Sequence, residues 1–246
     1  MSQIEGIVLN ELQYKESSKI LNIYTKELGK INVMARGAYR SKSKLIASTQ
    51  VFSYCNYEFR NGRTFYYLLD GRVIKSFYNI REKIERTMIG FYILEVFNKS
   101  IPEEEPNETL FLFLVKALDT LSNLDENYLE FLIAFELKFI SFIGYRPNIE
   151  ECVSCGNKNI KDLRFSVESG GILCDDCLGK DPYSVKINKI MQNILIKLMY
   201  IPFDNIKDIS FNREDLMKIQ DILERYILYF VERNEFNSLN MLKSMF

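Results

Sequence analysis

Two periodicities divide the chain. Over residues 4–73, short runs rich in Ile, Val, Tyr and Phe alternate with turn residues, which is the pattern of β-strands. The runs cover residues 4–12, 19–25, 29–36, 51–60 and 64–73, with turn signals at Glu27-Leu28-Gly29, Asn61-Gly62 and Asp70-Gly71. The third run places Ile31, Val33 and Ala35 on one face, with Lys30, Asn32 and Arg36 among those on the other. Asn61-Gly62 between two runs predicts a hairpin with a type I′ turn, whose central residues both need positive φ. Five short antiparallel strands suit a small barrel of the OB-fold type better than a sandwich, which needs more strands.

After Ser76 the period becomes helical. Ile80, Ile84, Met88, Phe91 and Leu94 recur at spacings of three and four and predict an amphipathic helix of about 18 residues. A loop holding Pro102, Glu103–Glu105 and Pro106 follows, with its acids read as a solvated linker. Asn107 then caps a helix over 108–122. A helix over 127–143 is apolar nearly all round and is expected to be central, ended by Gly144-Tyr145-Arg146-Pro147. Further helices are expected near 187–200 and 213–233. The second is capped by Asn212 and carries a core stripe of Leu216, Ile219, Leu223, Tyr226, Ile227 and Phe230.

Composition narrows the chemistry. The 246 residues contain no histidine, which removes Ser-His-Asp and Cys-His catalytic pairs, H-E-x-x-H metalloproteases and every histidine ligand. No G-x-x-x-x-G-K-[ST] phosphate loop occurs, so ATP hydrolysis is not expected, and the chain is read as a non-enzyme. Met1-Ser2-Gln3-Ile4-Glu5 lacks the basic start and apolar run of a signal peptide, and no charge-free stretch approaches a membrane span. The expectation is a soluble, cytoplasmic protein.

Four of the five cysteines fall as Cys152-x2-Cys155 and Cys174-x2-Cys177, separated by 18 residues. Two such knuckles offer a tetrahedral sulfur set suited to Zn²⁺, with iron–sulfur or redox use as the alternative. Residues 163–168 and 171–173 look like the hairpin of a zinc ribbon. A closed four-thiolate site leaves no position for water, so one structural zinc is expected rather than a catalytic one. Residues 148–181 carry four Lys or Arg against seven acids, which disfavours phosphate contact by the ribbon. Cys55 reads as a small buried hydrophobe, and Glu136, on an apolar face, must be paired or hydrogen-bonded.

The formal net charge of −1 conceals a split. Residues 1–78 hold twelve Lys or Arg and six acids, a net of +6, and the remainder a net of −7. No acid lies between Glu27 and Glu58. There Lys30, Arg36, Arg40, Lys42 and Lys44 stand with Tyr39, a set suited to neutralising phosphates and stacking a base. Arg60, Arg63 and Arg72 are secondary candidates. The competing reading is a zinc-containing protein–protein adaptor whose basic loop is incidental.

Taken in order, these residues resemble the RecO family of bacterial recombination mediators. The likeness rests on Gly6-Ile7-Val8-Leu9, Glu16-Ser17, Thr25, Gly29, and Gly37-Ala38 with the basic loop to Lys44. It continues through Phe135-Glu136-Leu137, Gly144-Tyr145-Arg146-Pro147, Cys155-Gly156, Phe165-Ser166 and Gly170-Gly171-Ile172-Leu173-Cys174. Beyond Lys180 it rests on helical character. Some family members lack the cysteines. The resemblance implies a multidomain α+β chain with an OB-fold barrel at 1–78 and a helical domain at 79–246, the latter with a zinc ribbon set in at 148–181. It also implies binding of single- and double-stranded DNA and annealing of complementary strands. With RecR, and in one pathway RecF, such proteins load RecA onto strands coated by single-stranded-DNA-binding protein (SSB).

Overall fold

The computed structural model describes residues 3–243. Met1 and Ser2, which begin the segment read for a leader, and residues 244–246 at the end of the helical region lie outside them. The chain forms two units, one running to Asn123 and resuming at Phe236, the other spanning Leu124–Glu235.

In the first unit, β1 (Ile4–Tyr14), β2 (Ser18–Thr25), β3 (Gly29–Ala35), β4 (Ser53–Arg60) and β5 (Tyr66–Ser76) close a barrel in the order β1-β2-β3-β5-β4. All pairings are antiparallel except β3 with β5, which is the five-stranded OB-type barrel that the strand pattern predicts. A register shift between Val8 and Asn10 bends β1, so that one strand pairs with both β2 and β4. Val8, Leu21, Ile23, Ile31, Val33, Ala35, Tyr57 and Leu68 fill the interior with Cys55, whose thiol burial pushes up to about 11.

Two local expectations are corrected. The β4–β5 connection is five residues long, and neither Asn61 nor Gly62 has positive φ, so it is not a type I′ turn. Glycine is needed at 62 for a different reason. A Cβ there would lie 2.6 Å from both the Phe65 carbonyl oxygen and the Tyr67 ring. The Glu103–Glu105 segment is more than a solvated linker. It runs beside β3, with Glu104 N–H donating to the Lys30 carbonyl at 3.0 Å and the Asn32 amide to Glu103 at 3.0 Å. Gly29, at φ +70°, lies under it, where a Cβ would stand 2.5 Å from the Glu105 backbone. Gly29→Ala is therefore expected to cost about 2 kcal/mol or more, measured by urea denaturation, because it meets both a left-handed φ and a backbone clash.

Helices α1 (Ile84–Ser100) and α2 (Glu108–Ser122) belong to the same unit. Tyr24 of β2 meets Phe97 and Phe111 with ring centres 5.7 and 6.0 Å apart, and Phe52 meets Phe91 at 5.2 Å. Asn107 caps α2 as predicted, accepting from Leu110 N–H at 2.9 Å. The short helix α6 (Asn237–Lys243), which the pattern did not predict, packs on α1, and Glu95 accepts from its first two N–H groups at 3.0 and 2.8 Å.

The second unit is built on α3 (Tyr128–Phe142), buried on nearly every side as its all-round apolar sequence requires. Helices α4 (Lys189–Tyr200) and α5 (Arg213–Phe230) pack against it. Asn212 caps α5, and Leu216, Ile219, Leu223, Tyr226 and Ile227 of its stripe are buried, while Phe230 is half-buried against Tyr145. Glu136 is fully buried and accepts from the Gln220 amide at 2.9 Å. The cysteine region adds a sheet of β6 (Leu163–Ser166), β7 (Gly171–Leu173) and β8 (Val185–Ile187), in the order β7-β6-β8. The helix expected near 187–200 begins at Lys189, because Val185 and Ile187 alternate about Lys186 and pair with β6 as β8.

No helix among the described residues is long and apolar enough to cross a membrane.

Candidate metal centre and nucleic-acid interface

The four-cysteine set assembles through backbone pairing rather than through the cysteines alone. Asn148 lies beside Gly171, with Ile172 N–H donating to the Asn148 carbonyl at 2.8 Å and Val153 N–H to Ile172 at 2.8 Å. A Cβ on Gly171 would fall 2.2 Å from the Asn148 oxygen, so this approach requires glycine. The first knuckle is thereby tied to the strand that leads into the second. Gly156, at φ +73°, lets the first knuckle fold back, and its N–H donates to the Cys152 carbonyl at 2.8 Å.

The Sγ atoms of Cys152, Cys155, Cys174 and Cys177 all lie within 4.8 Å of one another. A tetrahedral site with metal–sulfur bonds of about 2.3 Å requires sulfurs about 3.8 Å apart. The Cys155–Cys174 pair stands at 3.6 Å. The donor set also needs a cation. Burial works against ionisation of Cys152, but the N–H groups of Cys155, Cys174 and Ser154 bring its thiol down to about 6. Burial and then the neighbouring thiols push Cys174 up to about 12. The four sulfurs stand close enough to share one soft divalent cation, whose charge would stabilise them as thiolates. The four residues therefore fit a metal. Around them, Lys158 pairs with Glu151 at 3.7 Å and the Arg164 guanidinium turns onto Ser184 at 3.1 Å, which leaves the ribbon's surface acidic.

On the barrel, acid pairing sorts the cations. Lys19 pairs with Glu11 at 2.7 Å, Lys26 with Glu108 at 3.0 Å, Arg72 with Asp70 at 3.7 Å, and Lys75 with Asp119. Lys30 is 9% exposed and donates to the Asn98 carbonyl at 2.6 Å, so its ammonium ties α1 to β3 instead of facing solvent. The sequence could not reveal this, because the burial comes from the segment at Glu103 that covers β3. Arg36, Arg40, Lys42, Lys44, Arg60 and Arg63 are exposed and have no carboxylate partner among the described residues.

Two of them, Arg36 and Arg60, are brought to one place by the strand register. The loop after β3 carries Arg36 to Lys44, and β3 pairs with the start of β5 through Val33 with Tyr66 and Met34 with Tyr67. Arg60 lies directly across from Tyr67 on β4. The Arg36 and Arg60 guanidiniums sit 4.8 and 5.4 Å from the Tyr67 ring centre. Tyr39 is half exposed, with the Lys19 ammonium 4.8 Å above its ring, and its N–H donates to Ser17 in the β1–β2 turn at 2.9 Å. That contact brings Lys15, also exposed and without an acid partner among the described residues, beside the loop after β3. Arg72 lies five residues along β5 from Tyr67, about 17 Å away at ~3.3 Å per residue, and stands apart from the Arg36–Arg60 pair.

Sequence reasoning missed Lys15 and Tyr67. Lys15 stood in a turn beside Glu16, and Tyr67 read as one more strand aromatic. Only register shows Tyr67 flanked by arginines from two other segments.

Comparison with known proteins is consistent along the whole chain. Residues 1–77 match the family described as Recombination protein O N terminal, and residues 81–240 match Recombination protein O C terminal. A DNA repair protein RecO of Alkaliphilus metalliredigens is 34% identical, covering 98% of this chain and 98% of its own. Those of Bacillus pumilus and Acetivibrio thermocellus are 31% and 30% identical, each covering 98% of this chain and 95% of its own.

Proposed function

Because the chain belongs to the RecO family, we propose that it is a recombinational DNA repair mediator that binds single- and double-stranded DNA and anneals complementary strands. With RecR, and with RecF in one pathway, it would help load RecA onto SSB-coated single strands. The observation that carries this reading is the set of exposed cations on the barrel and its loops that have no acid partner among the described residues, two of which, Arg36 and Arg60, meet at Tyr67. Cations in that state neutralise phosphates and release condensed counterions without first breaking an ion pair. Annealing then follows from holding two strands close with their charge screened, a task that needs no catalytic group.

In this reading the barrel at 1–78 is the DNA-binding domain. Arg36, Arg40, Lys42, Lys44, Arg60 and Arg63 contact phosphates, and Tyr39 offers a stacking face. The four cysteines hold one structural zinc, which stabilises the ribbon and takes no part in DNA contact. The protein works in the cytoplasm at the nucleoid and has no enzymatic turnover. An annealing assay on complementary strands coated with SSB tests the proposal directly. Acceleration that depends on the full-length protein is expected. Retention of annealing after all six cations are replaced would overturn the site assignment, and hydrolysis of nucleotide or DNA by pure protein would overturn the non-enzymatic reading.

A further inference from the structure

We infer that Arg36, Tyr67 and Arg60 form a single phosphate-binding subsite, in which Tyr67 is a positioning residue that presents both guanidiniums to one phosphodiester of single-stranded DNA. The inference rests on the reading of the barrel as DNA-binding and deepens it.

The register builds the subsite. Tyr67 is paired across β5–β4 with Arg60, and across β5–β3 with Met34, two residues before Arg36. Residues two apart share a face of an extended segment, and directly opposed residues share a face of the sheet. One tyrosine therefore lies between two arginines that are far apart in sequence. Their guanidiniums, 4.8 and 5.4 Å from one ring centre, are no more than about 10 Å apart, within a Debye length at 0.1 M salt. Like charges held that close repel one another, and neither has a carboxylate among the described residues to relieve it. Each is attracted to the ring, which limits where its planar fork can point. Two forks held by one ring with no internal counter-ion make a site completed by an anion. A bridging phosphate, with several acceptor oxygens, can take both. The close packing of Gly62 on the Tyr67 ring, where a Cβ would approach to 2.6 Å, helps to fix the platform.

The test measures binding of the full chain to a fluorescent oligothymidylate by anisotropy across a salt series. If both arginines hold one phosphate, Arg36→Ala and Arg60→Ala each weaken binding about tenfold. The double variant should then be little weaker than either single one, and the slope of log K against log salt should fall by about 0.7 in all three. Tyr67→Leu keeps both charges, yet is expected to approach the affinity of the double variant, and Tyr67→Phe to recover most of that loss by keeping the ring. Additive losses with a slope change of about 1.4 in the double variant would mean two independent phosphate contacts and overturn the subsite. Wild-type binding by Tyr67→Leu would overturn the positioning role. The arginine cycle uses exposed side chains and decides the matter even if Tyr67→Leu folds poorly. If the unaltered chain fails to bind the oligonucleotide, the DNA-binding reading fails and the subsite falls with it.

Discussion

Replacing Arg36, Arg40, Lys42 and Lys44 with alanine is expected to reduce affinity for single-stranded DNA by about two to three orders of magnitude at ~50 mM salt, and to flatten its salt dependence. Each phosphate contact to a single strand contributes about 0.7 to the slope of log K against log salt, so four independent contacts remove about 2.8. If Arg36 shares its phosphate with Arg60, adding Arg60→Ala leaves the slope almost unchanged, whereas an independent Arg60 contact would take the loss to about 3.5. The four side chains are exposed, without acid partners, and lie on a loop whose backbone is held by its own turns, with Arg40 N–H donating to Gly37 and Ser43 N–H to Arg40. The substitutions should therefore leave thermal stability within a degree or two, which separates loss of binding from loss of fold. An unchanged salt slope in the folded quadruple variant would remove this loop from the interface. Lys30→Ala makes the contrast. It should lower stability, because its ammonium holds the Asn98 carbonyl, and should leave the slope as it was.

The second large effect concerns the cysteines. Cys152→Ser or Cys174→Ser is expected to take metal content from about one zinc per chain to near zero and to make residues 148–187 accessible to protease. These two cysteines are the buried members of the set, 1% and 2% exposed, and pack with Leu173. A serine at either place leaves three sulfurs and a buried hydroxyl. Structural zinc binding contributes on the order of 10 kcal/mol to the folding of small domains that depend on it. Here β6, β7 and β8 also pair through backbone hydrogen bonds, so partial order of the sheet should survive. Helix α3, with its own apolar packing, should unfold later than the ribbon. Chelation of the wild type should reproduce the effect, and zinc should reverse it. A fully metal-free protein with unaltered protease resistance would refute a structural metal.

Legibility differed by element for physical reasons. The barrel strands, the caps at Asn107 and Asn212 and the burial of α3 follow from local pattern, because period and capping chemistry act within a few residues. The cysteine cluster that could hold a metal was equally plain, since two C-x2-C knuckles carry their geometry in their spacing. The type I′ turn failed because the Arg60–Tyr67 register leaves a longer connection than Asn61-Gly62 alone implies. β8 was hidden because three residues are too few to set a period against the helix that follows. Lys30 was misjudged because alternation assigns a face but cannot say whether another segment covers it.

What the sequence alone determined was therefore a basic barrel, a helical remainder, four cysteines spaced to hold a metal and an order of motifs shared with one family. All of these are carried by residue type at short separation. Which cations are available was decided by the tertiary structure. Lys19, Lys26, Arg72 and Lys75 stand beside carboxylates, those of Lys26 and Lys75 lying on α2, while Lys30 is buried. The parallel pairing of β3 with β5 brings Arg36 and Arg60 onto the same tyrosine. Charge is a property of the side chain, but its availability depends on what the folded chain places within a few ångströms.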